Sequence, residues 1–563
     1  MKVFGESTLE ERKKISWMDV ILLVMIAALI FSIILLSCVP PVSKDALVHH
    51  LAVPKLYLLH GGMYEIPHMV FSYFPMNLDL LYLLPLWLGN DMAAKFIHFS
   101  FALLTGGLLF LYLKSRMNRT FALLGVLFFL SIPIIVKLSI TVYVDLGVIF
   151  FSTASMILIF EWVRRGFQWK FLVLSAFSCG LAMGTKYNGL VTFCLLTLFV
   201  PFMYSRYHTG KRPAFWEAAG RGVVFFFVSL LVFSPWMVRN SCWKENPVYP
   251  LYDHYFNPPA GSQALTDTER AAKAASRGFF TKRRALYGET WWQMALLPFR
   301  VFFQGKDGNP QYFDGKLNPM LLVLPLLGFY RSRDDPSSIK TEKKALLAFA
   351  LLFFGFALFS SVLRIRYIAP IIPPLVILSV FGVKNMTEIA KGWRRRALKK
   401  IGWTAVFAVP ALFVGLNAHY LIRQFEHVGP LSYLRGELTR EEYIQKYVLE
   451  YPALKYINTH LPEDSKILFI FLGKRGYYCQ RDYILDGGRF HHIIKTSDSP
   501  REVLHKIQDL GITHMLIRYD IFDPWLRDPF IFTEKERDLI TAFFKRHVEV
   551  LFFKWGYGVS RIS

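Results

Sequence analysis

The sequence predicts a polytopic α-helical membrane protein of about eleven spans, followed by a small α/β domain. Three observations carry that reading. Of 563 residues, 54% are hydrophobic and 16% aromatic, and mean hydropathy is positive; a soluble chain of this length would need several domains with far more polar surface. Apolar runs of roughly 17–25 residues, the length a bilayer requires, recur through the first three quarters. The cation excess, a formal charge of +24, lies mostly in short segments between those runs. That marks cytoplasmic loops, with no nucleic-acid partner implied.

The first run, WMDVILLVMIAALIFSIILLSC, follows ERKKIS and could pass for a signal peptide with a lipoprotein-like LLSC box. At about 22 residues it exceeds the 7–15 of a signal core, and more spans follow it, so an uncleaved helix over 17–38 is expected. The remaining spans fall at 92–113, 120–137, 145–163, 170–185, 188–205, 222–238, 317–330, 345–362, 368–384 and 401–421, with 317–330 the shortest of them. NLDLLYLLPLWLG, at 77–89, is apolar but short, and reads as a helix lying on or dipping into the surface.

Charge sets the orientation. With the N-terminus cytoplasmic, the inside segments hold roughly 26 Lys and Arg, whereas the 39–91 loop holds only Lys44 and Lys55. The loops 39–91 and 239–316, and the tail, then lie outside the cytoplasm. The chain divides into a membrane module, 1–422, and an extracytoplasmic α/β domain, 423–563. In the tail KILFIFL and THMLIRYD read as buried strands. SPREVLHKIQDLG reads as an amphipathic helix closed by Gly511, EKERDLITAFFKRH as a second helix, and VEVLFFKWGYGV as strand. Cys38, Cys179 and Cys194 fall in apolar runs as packing residues. Cys242 and Cys479 lie outside, and nothing in their spacing demands a bridge.

The chemistry begins at SKDALVHHLAVPKLY, 43–57. A helix over 45–60 puts Asp45 and His49 on one face at i,i+4. Partial desolvation at a membrane surface would raise the basicity of Asp45, as a general base for a hydroxyl requires. His49 and His50 could orient a substrate or share its charge. The plainer role for Asp45 is a helix cap, with the histidines in water.

Further polar residues sit at the same membrane edge: Asp145 in ITVYVDLGVIFF, Lys186 in GLAMGTKYNGL, Arg239 in SPWMVRNSCWKENPVYP, and Arg364, Arg366 and Tyr367 in VLRIRYIAP. Such ions are costly unless they snorkel, pair or work. One acid and several cations on one face suit a hydroxyl nucleophile and a phosphate leaving group. GLAMGTK lacks P-loop spacing, and there is no HExxH, CxxC or nucleotide-sugar Asp-x-Asp pair.

These segments resemble the GT-C integral-membrane glycosyltransferases that use polyprenyl-phosphate-linked sugars, including protein O-mannosyltransferases and the lipid A aminoarabinose transferase. DALVHHLAVPKLY is similar to the acidic start of their first outer loop. FSYFPMNLDLLYLLPLWLGND resembles their Pro-containing surface helix ending at Gly. GLAMGTKYNGL, PWMVRNSCWKENPVYP and RYIAPIIPPL also resemble family segments, and together these cover most of 15–425. The resemblance implies that Asp45 is the catalytic acid of the first loop and Asp145 the second acid shaping the site. It implies that Lys186 and Arg366 contact donor phosphate, with Arg239 a looser match. Several relatives carry adjacent acids where this chain has Lys44-Asp45, which leaves open whether His49 assists Asp45.

The expected activity is transfer of one sugar from a polyprenyl-phosphate carrier to a hydroxyl of a lipid, glycan or protein acceptor, at the outer face of a bacterial inner membrane. No cofactor is required by the pattern; a divalent cation is possible chemistry. Asp45 is expected to face Lys186 or Arg366 across a cavity. A glycan-chain ligase or polymerase would use the same carrier and face. A transporter or flippase would place charges at mid-membrane and show repeats, and no repeat is found. A non-catalytic anchor for the tail would leave the edge acids and cations without a role.

Overall fold

The structure, a computed structural model, describes residues 15–208, 215–258, 279–330, 335–358 and 363–563. Among these, seven helices are long and apolar enough to cross a membrane: Trp17–Ser37, Ala93–Arg116, Asp145–Arg164, Gly189–Tyr207, Phe215–Lys244, Ile365–Gly392 and Arg396–Val428. The chain is a multi-pass membrane protein. Ile365–Gly392 and Asp145–Arg164 are the most enclosed, whereas Arg396–Val428 and Phe215–Lys244 expose apolar flanks such as Phe227, Leu231, Phe407 and Leu412. For these flanks lipid is the solvent.

The expected run 120–137 is broken. Arg119–Ser131 and Pro133–Ser139 meet at 67° and make an eighth span only if taken as one. Pro133 has no N–H to continue the ladder and pushes Ile132 out of helical backbone, to φ −57 and ψ 131. The 317–330 run contains only Met320–Leu327 as α-helix. Eight residues rise about 12 Å, far short of a bilayer, so this run is not a span. Trp169–Thr185 is a 17-residue apolar helix. Ser337–Leu358 covers most of the 345–362 expectation, whose last four residues lie outside the described ones. The apolar runs therefore form helices as expected, and among the described residues seven, or eight with the bent pair, are both long and apolar enough to span, short of the eleven expected.

Asp145–Arg164 packs on Trp169–Thr185, which in turn packs on Phe215–Lys244. Small polar side chains join the helices. Ser155 and Ser175 hydroxyls are 3.0 Å apart, Ser152 and Thr192 are 2.9 Å apart, and Ser229 donates to Ala176 O. Such side chains let helices approach closely where apolar burial gives no net drive. The five cysteines are free, and Cys194 is exposed on its helix where a packing role was expected.

The tail builds one sheet in the order β2-β1-β3-β5-β4, from β1 Lys466–Ile470, β2 Asp482–Leu485, β3 His514–Arg518, β4 Val548–Lys554 and β5 Tyr557–Ile562. β1 runs parallel to β2 and β3, and β5 antiparallel to β3 and β4. VEVLFFKWGYGV is thus a hairpin and not one strand. Val503 and Ile507 of helix Pro500–Gln508, and Ile540 and Phe543 of Glu534–His547, bury against Leu468, Ile470, Met515 and Ile517. On the other face Phe469, Leu516 and Val559 join the main apolar core.

Candidate active site

The 43–57 stretch is not one regular helix. Ala46–His50 is a π-turn, and Ala52–His60 continues as α-helix. Leu51 N–H bonds back to Ala46 O at 2.9 Å, one residue beyond the α-helical partner. The extra residue in the turn is a device common at functional sites. Here it directs His50 inward, where its Nδ1 lies 2.7 Å from Asp79 Oδ1 with both side chains buried. The His49 ring stacks on Phe71, 4.6 Å between centres, and lies 3.9 Å from His50.

Asp79 comes from Asn77–Leu81, within the run expected to lie on the surface. Leu81, Leu84, Trp87 and Leu88 are exposed as that reading requires, but Leu78, Asp79 and Tyr82 are buried. Two glycines admit the helix. A Cβ on Gly184 would stand 2.3 Å from Asn77 Nδ2, and one on Gly147 would stand 2.6 Å from Leu78 Cδ2. Asn77 is then fixed by donating to Leu181 O and accepting from Trp236 Nε1.

Asp145 opens the helix Asp145–Arg164. His98 holds that terminus: its Nε2 accepts from Leu146 N–H at 3.0 Å, while Nδ1 faces the Leu138 and Thr141 carbonyls. Lys186 ends Trp169–Thr185 in extended backbone and donates to Asp145 Oδ1 at 2.6 Å. Arg366, in the turn Ile365–Ile371, donates to Asp45 Oδ2 at 2.5 Å. Its guanidinium lies 5.0 Å from the Tyr143 ring and 5.2 Å from that of Tyr367, and Lys186 Nζ lies 5.0 Å from the Tyr367 ring. Arg364 reaches Asp314 at 3.3 Å; Lys137 bridges Asp314 and Asp307 at 3.1 and 3.0 Å. The site is partly open, with the Asp45 side chain 22% exposed and that of Asp145 only 3%.

Asp45, His49, His50, Asp145, Lys186, Arg364, Arg366 and Tyr367 therefore gather at one site. Arg239 stands at its edge. It donates to Tyr73 O and Phe74 O and lies between Trp236 and Trp243; among the described residues it has no carboxylate at ion-pair distance. Asp79, Tyr143, His98, Lys137, Asp307 and Asp314 were not foreseen. An acid within NLDLLYLLPLWLG and a histidine within an apolar helix are the sequence signals for Asp79 and His98. Tyr143, Asp307 and Asp314, in loops, carry none, and neither does Lys137 at the end of Pro133–Ser139.

Burial opposes ionisation of Asp45, but the Arg366 guanidinium outweighs it and holds the carboxyl well below the usual carboxylate range. This reverses the expected rise in basicity, because the cation is closer than the desolvating wall is dry. Burial pushes His50 down to about 3 and Asp79 up to about 7, so the pair is net neutral with one proton between them. His49 is held neutral by burial and then by His50. Among the described residues no three His, Cys, Asp or Glu come together as metal ligands, and Asp45 and Asp145 each face a cation, a donor set that does not fit a divalent ion.

Residues 56–237 match the family model described as dolichyl-phosphate-mannose-protein mannosyltransferase. No curated relative matches. Among solved structures, ArnT from Cupriavidus metallidurans bound to undecaprenyl phosphate is 15% identical with a TM-score of 0.53, covering 96% of this chain and 98% of that one. Its apo state is 14% identical with a TM-score of 0.54, covering 97% and 98%. The oligosaccharyltransferase from Archaeoglobus fulgidus in complex with Zn and sulfate is 12% identical with a TM-score of 0.54, covering 96% and 72%. Likeness at these identities is a likeness of fold. The chain shares the GT-C fold with these membrane proteins.

Proposed function

We propose that this protein transfers a monosaccharide from a polyprenyl-phosphate carrier to an acceptor hydroxyl, at the outer face of a bacterial inner membrane, with its N-terminus cytoplasmic and residues 423–563 extracytoplasmic. The observation that carries the reading is the double pairing at one site, Asp45 with Arg366 and Asp145 with Lys186. Two cations at the membrane edge suit the single phosphate of a lipid-linked donor. A neighbouring carboxylate suits the proton of a hydroxyl nucleophile. The carrier bound by ArnT in its structure is undecaprenyl phosphate, and the family match over 56–237 points to the same class of donor.

In this mechanism the donor phosphate lies between Arg366 and Lys186 and competes with both carboxylates for their cations. Asp45, released from part of the Arg366 field, regains basicity. The acceptor oxygen attacks the anomeric carbon as its proton passes to Asp45. The bond from anomeric carbon to phosphate oxygen breaks in line, the configuration inverts, and the phosphate departs as an anion held by Lys186 and Arg366, needing no general acid. Asp145 orients Lys186, and His49 and His50 line the acceptor side.

The test is turnover in nanodiscs with undecaprenyl phosphate carrying a panel of hexoses, N-acetylhexosamines and aminopentoses, on wild type and Asp45→Asn. Wild type should release free undecaprenyl phosphate from one donor. Asp45→Asn, which no longer competes for Arg366, should bind that donor at least as tightly while turnover falls about 10²–10⁴-fold, the usual cost of losing a general base. Normal turnover by the variant would remove Asp45 from the chemistry, and no turnover of any donor by wild type would refute the activity.

A further inference from the structure

The loop after β1, LGKRGYYC at 472–479, leaves the carboxyl end of a strand flanked on both sides by parallel neighbours, β2 and β3. That is the position where open α/β sheets usually receive a ligand. In this chain the loop itself reaches out and binds the 41–55 stretch. Its shape is set from within the tail. Arg475 pairs with the fully buried Glu450, and Asn458 donates to Tyr478 O and accepts from Gln480 N–H, at 2.9 and 2.8 Å. A Cβ on Gly476 would stand 2.1 Å from the Tyr483 ring, so only glycine lets the loop lie there.

Its contacts bracket Asp45. Tyr478 hydroxyl donates to Pro41 O at 2.8 Å, four residues before it. Tyr477 N–H donates to Leu47 O at 3.2 Å, two residues after it. Lys55 Nζ, mostly buried, donates to Tyr477 O at 2.9 Å and Cys479 O at 2.5 Å. Leu47 is itself buried among Ile444, Val448, Tyr451, Tyr477 and Tyr478. The bond to Leu47 is the telling one. In an α-helix Leu47 O would accept from Leu51 N–H; here Leu51 N–H goes to Ala46 O and the tail takes the freed carbonyl. Reverting to α-helix would rotate the residues beyond the turn by about 100° relative to Asp45 and part Asp45–Arg366 from His50–Asp79.

We infer that the 472–479 loop is a clamp that holds the Asp45 turn in its π register, with Lys55 as the positioning residue through which the tail acts on the site. The inference rests on the catalytic reading of Asp45, and its test has an arm that does not. Backbone hydrogen exchange of the full chain in nanodiscs is compared for wild type, Lys55→Met, Lys55→Arg and Tyr478→Phe. In Lys55→Met the 43–51 amides should exchange at least tenfold faster while 466–562 stays protected, and Lys55→Arg should restore most of the protection. With the panel donor that wild type consumes, kcat in Lys55→Met should fall on the order of 10²-fold, as small misplacements of a reacting group do. Binding of undecaprenyl phosphate should stay within about twofold. Tyr478→Phe, which deletes one hydroxyl, should shift both readouts the same way by a smaller factor and serves where Lys55→Met loses the tail fold. Unchanged exchange at 43–51 in both variants overturns the clamp. So does normal kcat in both when Asp45→Asn is inactive. If Asp45→Asn turns over normally, the base assignment fails, and the exchange arm still decides the clamp.

Discussion

The pair His50–Asp79 yields a prediction whose sign and size both follow from burial. Both groups are buried and share one proton at 2.7 Å. Opened to water between pH 5 and 6.5, His50 would carry a proton and Asp79 none, so the pair holds one proton in the open state as in the closed one. It therefore adds no slope to local stability against pH. Asp79→Asn removes that balance. His50, at about 3 when buried against an ordinary 6.5, then binds a proton only on opening, so stability rises with pH by about 1.4 kcal/mol per unit relative to wild type. Over pH 5 to 6.5 that is about 2 kcal/mol, or a 30-fold change in protection. His50→Gln leaves Asp79, raised to about 7 from 3.8, to bind a proton only when closed, and the relative slope has the opposite sign. His49, also neutral when buried, contributes equally to all three proteins and cancels in the comparison. The assay is hydrogen exchange of residues 43–60 across that pH range, normalised for intrinsic exchange rates. Slopes of the same sign in the two variants, or no difference from wild type, would refute the shared-proton account.

Two further outcomes are expected. Arg366→Gln removes the cation that holds Asp45 down, leaving burial to raise it. The acid limb of kcat/KM should move to higher pH than in wild type, and undecaprenyl phosphate should bind about tenfold or more weakly, as loss of a charge-assisted contact costs about 1.5–3 kcal/mol; a pH–rate series and a binding titration check both. Gly184→Ala places a methyl 2.3 Å from the Asn77 amide and should displace Asn77–Leu81, costing about 1–3 kcal/mol and lowering kcat with Asp79 still present; unaltered thermal stability and turnover would show that the short helix has room to spare.

The membrane module was legible because bilayer thickness writes itself into the length of apolar runs. Reading failed where length was the wrong measure. At 317–330 the run is apolar because Met320–Leu327 packs on Ile372–Gly392, not because it crosses lipid. At 120–137 Pro133 announced the break, but its 67° angle depends on neighbours. The candidate residues were legible as ions at a costly depth, and Asp45, Lys186 and Arg366 stand out for that reason alone. Their partners were not. Arg366 lies 321 positions from Asp45, and no local rule pairs them. The tail's role was equally hidden, since Tyr477 meets Leu47 through backbone atoms that any residue carries. The π-turn left no mark either: ALVHH is compatible with α-helix, and its widened form depends on a contact made from the far end of the chain.

β5, the Tyr557–Ile562 strand, sits inside the sheet, between β3 and β4. During synthesis β1, β2 and β3 leave the ribosome well before it, yet β3 has no neighbour on that side until β5 arrives. The sheet that presents Tyr477 and Tyr478 thus closes last, although the turn they grip is among the first segments made. A nascent chain has made the Asp45 turn and the described spanning helices by residue 428, and the turn stays ungripped until the sheet follows. Pairing of β5 with β3 and β4 completes the sheet that carries the grip, so loss of β5 alone would leave the membrane helices in place and the Asp45 turn without its clamp.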